Sequence, residues 1–443
     1  PENPHRINDE LSAEARAGFF HLVLYPVEAC ANLNELYVTT GLNRLYAQQG
    51  RAATNDLAKR VQQLFDKDDE LSRYYNEDLA DGKWSHMADQ THIGYTYWQE
   101  PPKNTMPEVE TIDVPLASEM AIAIEGSTNS WPGDAADAKS PALPELSAYS
   151  QEPRWIEVFN RGRTPFDYAI EVGEPWLRVG TKAGETTTHG NVDQQQRLWI
   201  TADWDRVPTG KHRVPITVTG PNDTSVVIEA IVNKPNDRGL SPFAQSSEQK
   251  GTVSLATGSF VESNGHIAIE AEHFDRAVPP LADDDAENDS DSIRWQIIPD
   301  LGRTLSGVTT LPTTAPSQDL SDASPRLEYR VHLASPGRVK VRALVAPTLN
   351  FYNTEGLRYA VSFDDQPPQI VNIHAGENLQ LWEKWVADNI NQTVSRHTLD
   401  SPGEHTLKFW RLDPGIVLQR LIVETEPIPS TYLGPPESPR AQQ

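Results

Sequence analysis

Cysteine, positive charge and long apolar runs are all scarce in this sequence. Its 443 residues include one cysteine, Cys30, so neither an internal disulfide bond nor a cysteine-based zinc site is available. No stretch approaches the ~18 consecutive apolar residues of a membrane-spanning helix, so a membrane is not an expected partner. Acidic side chains outnumber basic ones by 63 to 38, and the resulting net charge of −25 would repel a nucleic acid.

Motifs that mark common catalytic and cofactor sites are also missing. The sequence contains no nucleophile elbow, P-loop, dinucleotide-binding glycine motif, zincin helix or paired CxxC. We therefore expect no cofactor and no metal in this chain. Cys30 falls within an apolar helical pattern, and we interpret it as a small core residue.

Three groups of polar residues could still carry chemistry. His86 and His92 flank Asp89, which suggests either a metal site or, as we favour, histidines that satisfy hydrogen bonds. Glu270 and Glu272 stand two apart on a predicted strand and so share a face, which we interpret as solvated. The acidic run Asp283–Asp291 lacks the spacing of an EF-hand, and we predict an exposed loop.

Residues 1–110 are predicted to form a helical bundle followed by an aromatic connector. Apolar residues recur at three- and four-residue steps from Leu57 to Leu71, which predicts a helix with Thr54 as its N-cap. The dense apolar run 19–24 indicates a buried helix that Pro26 should kink or end. A further helix is expected to stop at Gly50.

The rest of the chain is predicted to form two antiparallel β-sandwiches. From Trp155 onward, apolar residues alternate with polar ones in short runs separated by turn residues. We predict an immunoglobulin-like β-sandwich with a leading linker over residues 111–240. A C-terminal β-sandwich resembling a carbohydrate-binding module should span 241–430, and the Pro- and Ser-rich tail 431–443 should be disordered.

One loop of the second sandwich has the composition of a sugar-binding surface. Asn350, Phe351 and Tyr352 lie between two predicted strands. Aromatic rings can stack on the C–H faces of sugars while amides bind hydroxyl groups. The alternative is a loop that tucks its aromatic residues into its own sandwich.

Several motifs are long or unusual enough to suggest a family, and the longest is the run Lys83–Trp98. The other motifs are Asn34–Tyr37, Asn43–Tyr46, Gln49–Ala52, Ile269–His273, Leu301–Arg303, the Phe351–Tyr352 loop and Asp413–Gln419. Together they resemble glycoside hydrolase family 115, the xylan α-1,2-glucuronidases, and the likeness covers nearly all of residues 10–425.

The resemblance implies an enzyme that removes (4-O-methyl)glucuronic acid from glucuronoxylan with inversion. The family places its catalytic carboxylates in a (β/α)₈ barrel, and no such barrel is expected here. The resemblance therefore implies that this chain begins inside the bundle and contains no catalytic residue. Expected partners are glucuronoxylan or aldouronic acids, the barrel-bearing N-terminal portion, and a second copy in a homodimer. A polysaccharide-degrading parent favours secretion or the periplasm. The alternatives are a stand-alone xylan-binding protein and a purely structural one.

Overall fold

The fold is described from a computed structural model that covers residues 4–96, 99–133, 140–234, 258–279, 293–334 and 336–441. Its contacts divide the chain into two compact units. The first comprises Pro1–Leu143, Pro153–Thr201 and Val214–Glu229, and the second comprises Pro144–Glu152, Ala202–Arg213 and Ala230–Gln443. The predicted boundary at residue 240 and the predicted acidic loop Asp283–Asp291 lie outside the described residues.

The N-terminal region is helical, as predicted. Its α-helices are α1 (Pro4–Glu10), α2 (Ala13–Phe19), α3 (Tyr25–Gln49) and α4 (Thr54–Arg73), with π-helical turns at Phe20–Leu24 and Tyr74–Asp78 and a 3₁₀ turn at Leu79–Gly82. Gly50 adopts φ 69° and closes α3, as expected for a left-handed C-cap. Among the described helices, none combines the length and the apolar composition that a membrane span requires.

Four details of the helical prediction were wrong. Pro26 lies in the first turn of α3, where a missing amide donor costs little, so it begins a helix after the π-helical turn. Leu22 is 71% exposed, although the run 19–24 was predicted to be buried. Cys30 is exposed as well. Thr54 is the first helical residue and donates its hydroxyl to the carbonyl of Arg51, so it is not an N-cap.

A small core lies between α3, α4 and the connector that follows them. Leu36, Val61, Leu64 and Ile93 are almost completely buried there. A buried ion pair in the same unit joins the turn after α3 to a β-strand, because Arg51 Nη1 lies 2.8 Å from Glu157 Oε2. Arg51 therefore fixes the helical region to the first sheet.

Residues 120–234 form two five-stranded sheets. The strands are β1 (Met120–Ile124), β2 (Ser130–Trp131), β3 (Leu146–Ser147), β4 (Arg154–Asn160), β5 (Phe166–Val172), β6 (Leu177–Gly180), β7 (His189–Val192), β8 (Gln195–Ala202), β9 (Gly210–Thr219) and β10 (Ser225–Lys234). Their orders are β2-β1-β4-β8-β6 and β3-β10-β9-β5-β7. The alternation of buried and exposed residues along β5 is that of a strand with one face on a core.

Residues 259–441 form the second sandwich, whose strands were predicted from the same alternation. Its elements are β11 (Ser259–Val261), β12 (His266–Glu270), β13 (Arg276–Val278), β14 (Arg294–Ile298), β15 (Gly307–Leu311), β16 (Arg326–Leu333), β17 (Gly337–Val345), β18 (Arg358–Phe363), β19 (Gln369–Asn372), α5 (Leu379–Asp388), β20 (Asn391–Leu399), β21 (Gly403–Arg411), β22 (Leu418–Glu424) and β23 (Arg440–Ala441).

The sheets of this second sandwich enclose one large apolar core. The seven-stranded sheet has the order β19-β18-β21-β16-β11-β23 with β13 beside β16, and the six-stranded sheet has the order β14-β15-β22-β17-β20 with β12 beside β22. Consecutive strands β16 and β17 lie in opposite sheets. In the described part of the chain the strands pair mostly antiparallel and form no (β/α)₈ barrel, as predicted.

The prediction of a disordered tail over 431–443 was wrong for the described part of that segment. Arg440 pairs with Phe260 through strand β23, and its side chain is 6% exposed. The guanidinium lies 2.7 Å from Asp275 and stacks over the ring of Phe260. The ion pair and the added strand offset the low apolar content that led to the prediction.

Candidate functional site

The predicted sugar-binding residues lie on a loop between β17 and β18 that is closed by its own side chains. Asn350 Nδ2 donates to the carbonyl of Thr354 over 2.6 Å, and the amide of Thr354 donates back to Asn350 Oδ1 over 3.3 Å. Asn353 adopts φ 51°, which an asparagine tolerates in a tight turn. The amide of Asn350 therefore shapes the loop and is largely occupied by it.

Phe351 and Tyr352 form a half-exposed aromatic pair on this loop. Their ring centres are 4.6 Å apart, and the side chains are 48% and 42% exposed. Phe351 lies against the backbone of Gly415, and the hydroxyl of Tyr352 donates to the carbonyl of Thr313 over 2.8 Å. One side of the pair packs on the protein, and the other is open to solvent.

An ion pair beneath the loop fixes the start of β18. Asp413 is 4% exposed and accepts hydrogen bonds from the backbone amide of Arg358 at 2.7 Å and from its guanidinium at 2.9 Å. Burial raises the pKa of the Asp413 carboxyl, but hydrogen bonds from Arg358 and Ser317 outweigh burial and hold that pKa below 3.8. The carboxylate stays ionised, so it is not suited to act as a general acid near neutral pH.

Two further buried cationic or titratable side chains support the same end of the sandwich. Arg411 donates to the carbonyls of Pro316 and Ala315, and burial lowers the pKa of its guanidinium. His374 accepts a hydrogen bond from the amide of Leu357 at Nδ1, while Nε2 lies 2.9 Å from the carbonyl of Thr348. These bonds assign the neutral Nε2–H tautomer, so His374 positions the loop.

The other polar groups considered in the sequence do not converge on a site. His86 contacts Asp89, whereas His92 Nε2 lies 2.7 Å from Asp68, which raises the pKa of His92 above its usual value of 6.5. The histidines thus satisfy hydrogen bonds to different carboxylates. No cluster of three metal-ligating side chains occurs among the described residues.

The prediction that Glu270 lies on a solvated strand face was wrong. Glu270 is 7% exposed and accepts a hydrogen bond from the hydroxyl of Thr304. Its carboxylate also lies 3.1 Å from Arg420 Nε. Burial raises the pKa of its carboxyl, although the neighbouring guanidinium of Arg420 opposes that shift. The C-terminal segment covers strand β12, and Glu437 in this segment accepts a hydrogen bond from the backbone amide of Glu270. The local sequence pattern of β12 could not reveal this cover, because the covering residues are distant in sequence.

The half-exposed rings of Phe351 and Tyr352 could stack on the apolar face of a sugar. A comparison with known protein families relates the second sandwich to carbohydrate-active enzymes. Residues 259–437 match the glycosyl hydrolase family 115 C-terminal domain. The matched residues comprise the second sandwich together with most of its tail. No curated protein matches the sequence significantly.

Several solved structures are also similar to the chain. One is a family GH115 4-O-methyl-α-glucuronidase with specificity for decorated arabinogalactans, at 15% identity and TM-score 0.25, covering 33% of this chain and 19% of that one. Another is the C-terminal CBM6 of the laminarinase LamC from Zobellia galactanivorans, at 14% identity and TM-score 0.23, covering 36% and 98%. A family 35 carbohydrate-binding module from Clostridium thermocellum matches at 12% identity and TM-score 0.23, covering 36% and 98%. Scores this low carry no argument about activity.

Sequence reasoning missed the residues that hold the loop in place. His374 and Gly415 are distant from Tyr352 in sequence, and Arg358, although close to it, is held by the distant carboxylate of Asp413. His374 acts through backbone groups, the amide of Leu357 and the carbonyl of Thr348, which no side-chain motif reveals. The one available signal was the cluster Asp413–Gln419, which belongs to the motifs that resemble family 115.

Proposed function

We propose that this chain is the C-terminal part of a xylan α-1,2-glucuronidase that removes (4-O-methyl)glucuronic acid from glucuronoxylan with inversion. The match of residues 259–437 to the family 115 C-terminal domain carries this proposal. An inverting glycosidase needs two carboxyl groups roughly 6.5–9.5 Å apart around the scissile bond. We assign those carboxyls to a barrel in another portion of the enzyme and none to this chain.

In this proposal the Asn350–Tyr352 loop contacts the substrate. Phe351 and Tyr352 would stack on a xylose or glucuronate ring, because their exposed sides form one apolar surface. Asn350 would act mainly by holding the turn. The exposed apolar side chains of the helical region, Leu22, Val27 and Val38 among them, would contact the barrel-bearing portion or a second copy of the chain.

Two measurements test the assignment. The purified chain, incubated with aldouronic acids, should release no uronic acid, and release would show that catalytic carboxyls lie within these residues. A barrel-bearing N-terminal portion should bind the chain and release uronic acid faster with it than without it. Failure of the two portions to associate or to affect each other would contradict the proposal.

A stand-alone xylan-binding protein is the second candidate, and the half-exposed aromatic pair favours it. Affinity electrophoresis in gels containing glucuronoxylan separates this reading from a purely structural one. Tyr352→Ala should lose retardation, while Tyr432→Ala, which removes another exposed tyrosine of the same sandwich, should keep it. Equal mobility of the wild type with and without polymer would exclude glycan binding by the chain alone.

A further inference from the structure

A surface groove on the six-stranded sheet of the second sandwich is rich in cationic side chains. It lies where β17 pairs with β20 and β22 ends, and it is lined by Arg338, Lys340, Arg396, His397, Glu424 and Glu426. Val339 and Val341 point into the core, so Arg338, Lys340 and Arg342 share the opposite face of β17. Successive cations on that strand are therefore about 7 Å apart.

The register of the strands places like charges directly opposite each other. Lys340 pairs with Arg396 across β17 and β20. Opposed like charges destabilise a sheet, and a sheet face that served stability alone would be expected to alternate signs. Glu424 lies opposite Lys340 on the other side, in β22, and offsets part of this cost, and a ligand of opposite charge at Arg396 would offset more of it.

The carboxylates of the groove balance only part of this charge. Glu424 is buried, lies 2.7 Å from Lys340 Nζ and also contacts the guanidinium of Arg342. Arg338 and Arg396 are exposed, and neither forms an ion pair within the residues that the structure describes. Burial lowers the pKa of His397 to about 4, so its ring adds no charge near neutral pH.

The remaining cations are suited to carboxylates spaced along a polymer. A guanidinium can bind a carboxylate through two parallel hydrogen bonds. The chain as a whole carries a net charge of −25, which opposes densely charged polyphosphates and acidic proteins far more than a polysaccharide with occasional uronate groups. An exposed sheet face is also open along its length, as an extended glycan requires.

We propose that Arg338 and Arg396 bind the uronate carboxylates of an acidic polysaccharide, as a second glycan-contacting surface besides the Asn350–Tyr352 loop. This inference rests on the proposed function and extends it to the charge of the polymer. The groove would hold a side-chain carboxylate while the loop contacts sugar rings.

The test is affinity electrophoresis of the full chain in gels that contain glucuronoxylan or the same polymer with its carboxyl groups reduced. The double variant Arg338→Glu/Arg396→Glu should bind glucuronoxylan about tenfold more weakly than the wild type. Carboxyl reduction should weaken wild-type binding to a similar extent, and raised ionic strength should do the same. Lys59→Glu/Lys182→Glu, which changes the net charge equally at two exposed lysines of the other compact unit, should bind as the wild type does.

The thermal midpoint of the groove variant should be no lower than that of the wild type, because its substituted side chains are exposed and Arg396→Glu replaces a like-charge pair with Lys340 by an opposite-charge pair. The control variant loses only exposed ion pairs to Asp56 and Glu185, so its midpoint should fall little. Three results would each overturn the inference. The groove variant could bind as well as the wild type, the wild type could bind the reduced polymer equally well, or the wild type could bind heparin more strongly than glucuronoxylan. If Tyr352→Ala loses binding while the groove variant binds as the wild type does, the loop is the glycan contact and the groove is not. The proposed function is tested separately, by the release of uronic acid when this chain is combined with a barrel-bearing portion. That result does not depend on the groove.

Discussion

The carboxylate of Asp413 accepts three hydrogen bonds from Arg358 at the base of the candidate loop. The backbone amide and Nε of Arg358 donate to Asp413 Oδ2 at 2.7 and 2.9 Å, and Nη2 donates to Oδ1 at 3.2 Å. The pair connects the first residue of β18 to the segment that carries Gly415, against which Phe351 lies. The position of the aromatic pair therefore depends on this buried carboxylate.

Replacing Asp413 with asparagine should lower the free energy of unfolding by about 1–3 kcal/mol, because the variant loses hydrogen bonds to a charged group. The pKa of Asp413 in the folded chain lies below its usual value of 3.8. Its contribution to stability is therefore present above pH 3.8 and is lost as the pH falls through the lower folded pKa.

Urea unfolding monitored by tryptophan fluorescence at several acidic pH values measures this effect. Wild type and Asp413→Asn should approach each other in stability below pH 3.8. Asp365→Asn is the matched control, since Asp365 is fully exposed and its replacement should change stability little. A stability difference that does not vary with pH would contradict the role given to the ionised carboxylate.

A methyl group at position 415 should displace Phe351. Gly415 adopts φ 81°, and a Cβ there would lie 2.4 Å from Phe351 Cε1. Gly415→Ala should therefore cost backbone strain of about 1 kcal/mol and also move the aromatic ring. We expect weaker retardation by glucuronoxylan in affinity gels.

Gly376→Ala separates these two effects. Gly376 adopts φ 74°, but a Cβ there would meet no atom within 4 Å. Both variants share the strain of a left-handed backbone, and only Gly415→Ala disturbs Phe351. Equal polymer binding by the two variants would show that the position of Phe351 does not matter for recognition.

The strands of the second sandwich could be predicted because their periodicity is local. Val339 and Val341 alternate with Arg338 and Lys340, and that pattern alone places one set in the core. The helix end at Gly50 follows from the left-handed conformation that glycine adopts freely.

Features that depend on distant partners could not be predicted from local pattern. Glu270 looks like a residue of a wet strand face, yet Arg420 and the C-terminal segment bury it. The composition of the tail is typical of a disordered segment, yet Arg440 forms an ion pair with Asp275 and stacks on the ring of Phe260. The site shows the same division, since the composition of the loop singled out Phe351 and Tyr352, whereas Gly415 stood out only as part of the motif Asp413–Gln419 and its contact with Phe351 did not.

The contact between His273 and Glu437 should make the stability of the second sandwich depend on pH. His273 Nδ1 lies 2.8 Å from Glu437 Oε1, and this hydrogen bond raises the pKa of the imidazole above 6.5. The charges facing the ring are Glu437 and Glu272, which raise that pKa, and Arg440, which lowers it. A raised pKa in the folded state gives stability that is present below pH 6.5 and is lost as the pH rises through the folded pKa.

Thermal unfolding of the wild type and of Glu437→Gln, from below pH 6.5 to above it, measures how protonation of His273 contributes to stability. The wild type should lose stability from pH 6.5 upward, and the variant should lose less because its imidazole titrates nearer to the usual pKa. The pKa of His273 itself, followed by NMR of the ring protons, should fall in the variant. An unchanged His273 pKa would contradict the assignment to Glu437.

The buried pair Arg51–Glu157 should be a major contributor to the stability of the first compact unit. Arg51 is 2% exposed, donates to Glu157 at 2.8 Å, and stacks on the rings of Tyr46 and Phe159. Arg51→Met should lower the free energy of unfolding by about 3 kcal/mol, because it leaves a buried carboxylate with less compensation. Arg197 still contacts Glu157 and keeps the loss from being larger.

Replacing both Arg51 and Glu157 with neutral residues tests whether the stability lost in Arg51→Met arises from the uncompensated charge of Glu157. The double variant Arg51→Met/Glu157→Gln should recover part of the stability lost in Arg51→Met, as measured by urea unfolding. Arg60→Met, which removes a half-exposed partner of Glu35, should cost less than about 1 kcal/mol. If the double variant is as unstable as the sum of its single variants, the loss comes from packing of the Arg51 side chain on Tyr46 and Phe159, and the charge of Glu157 is not its cause.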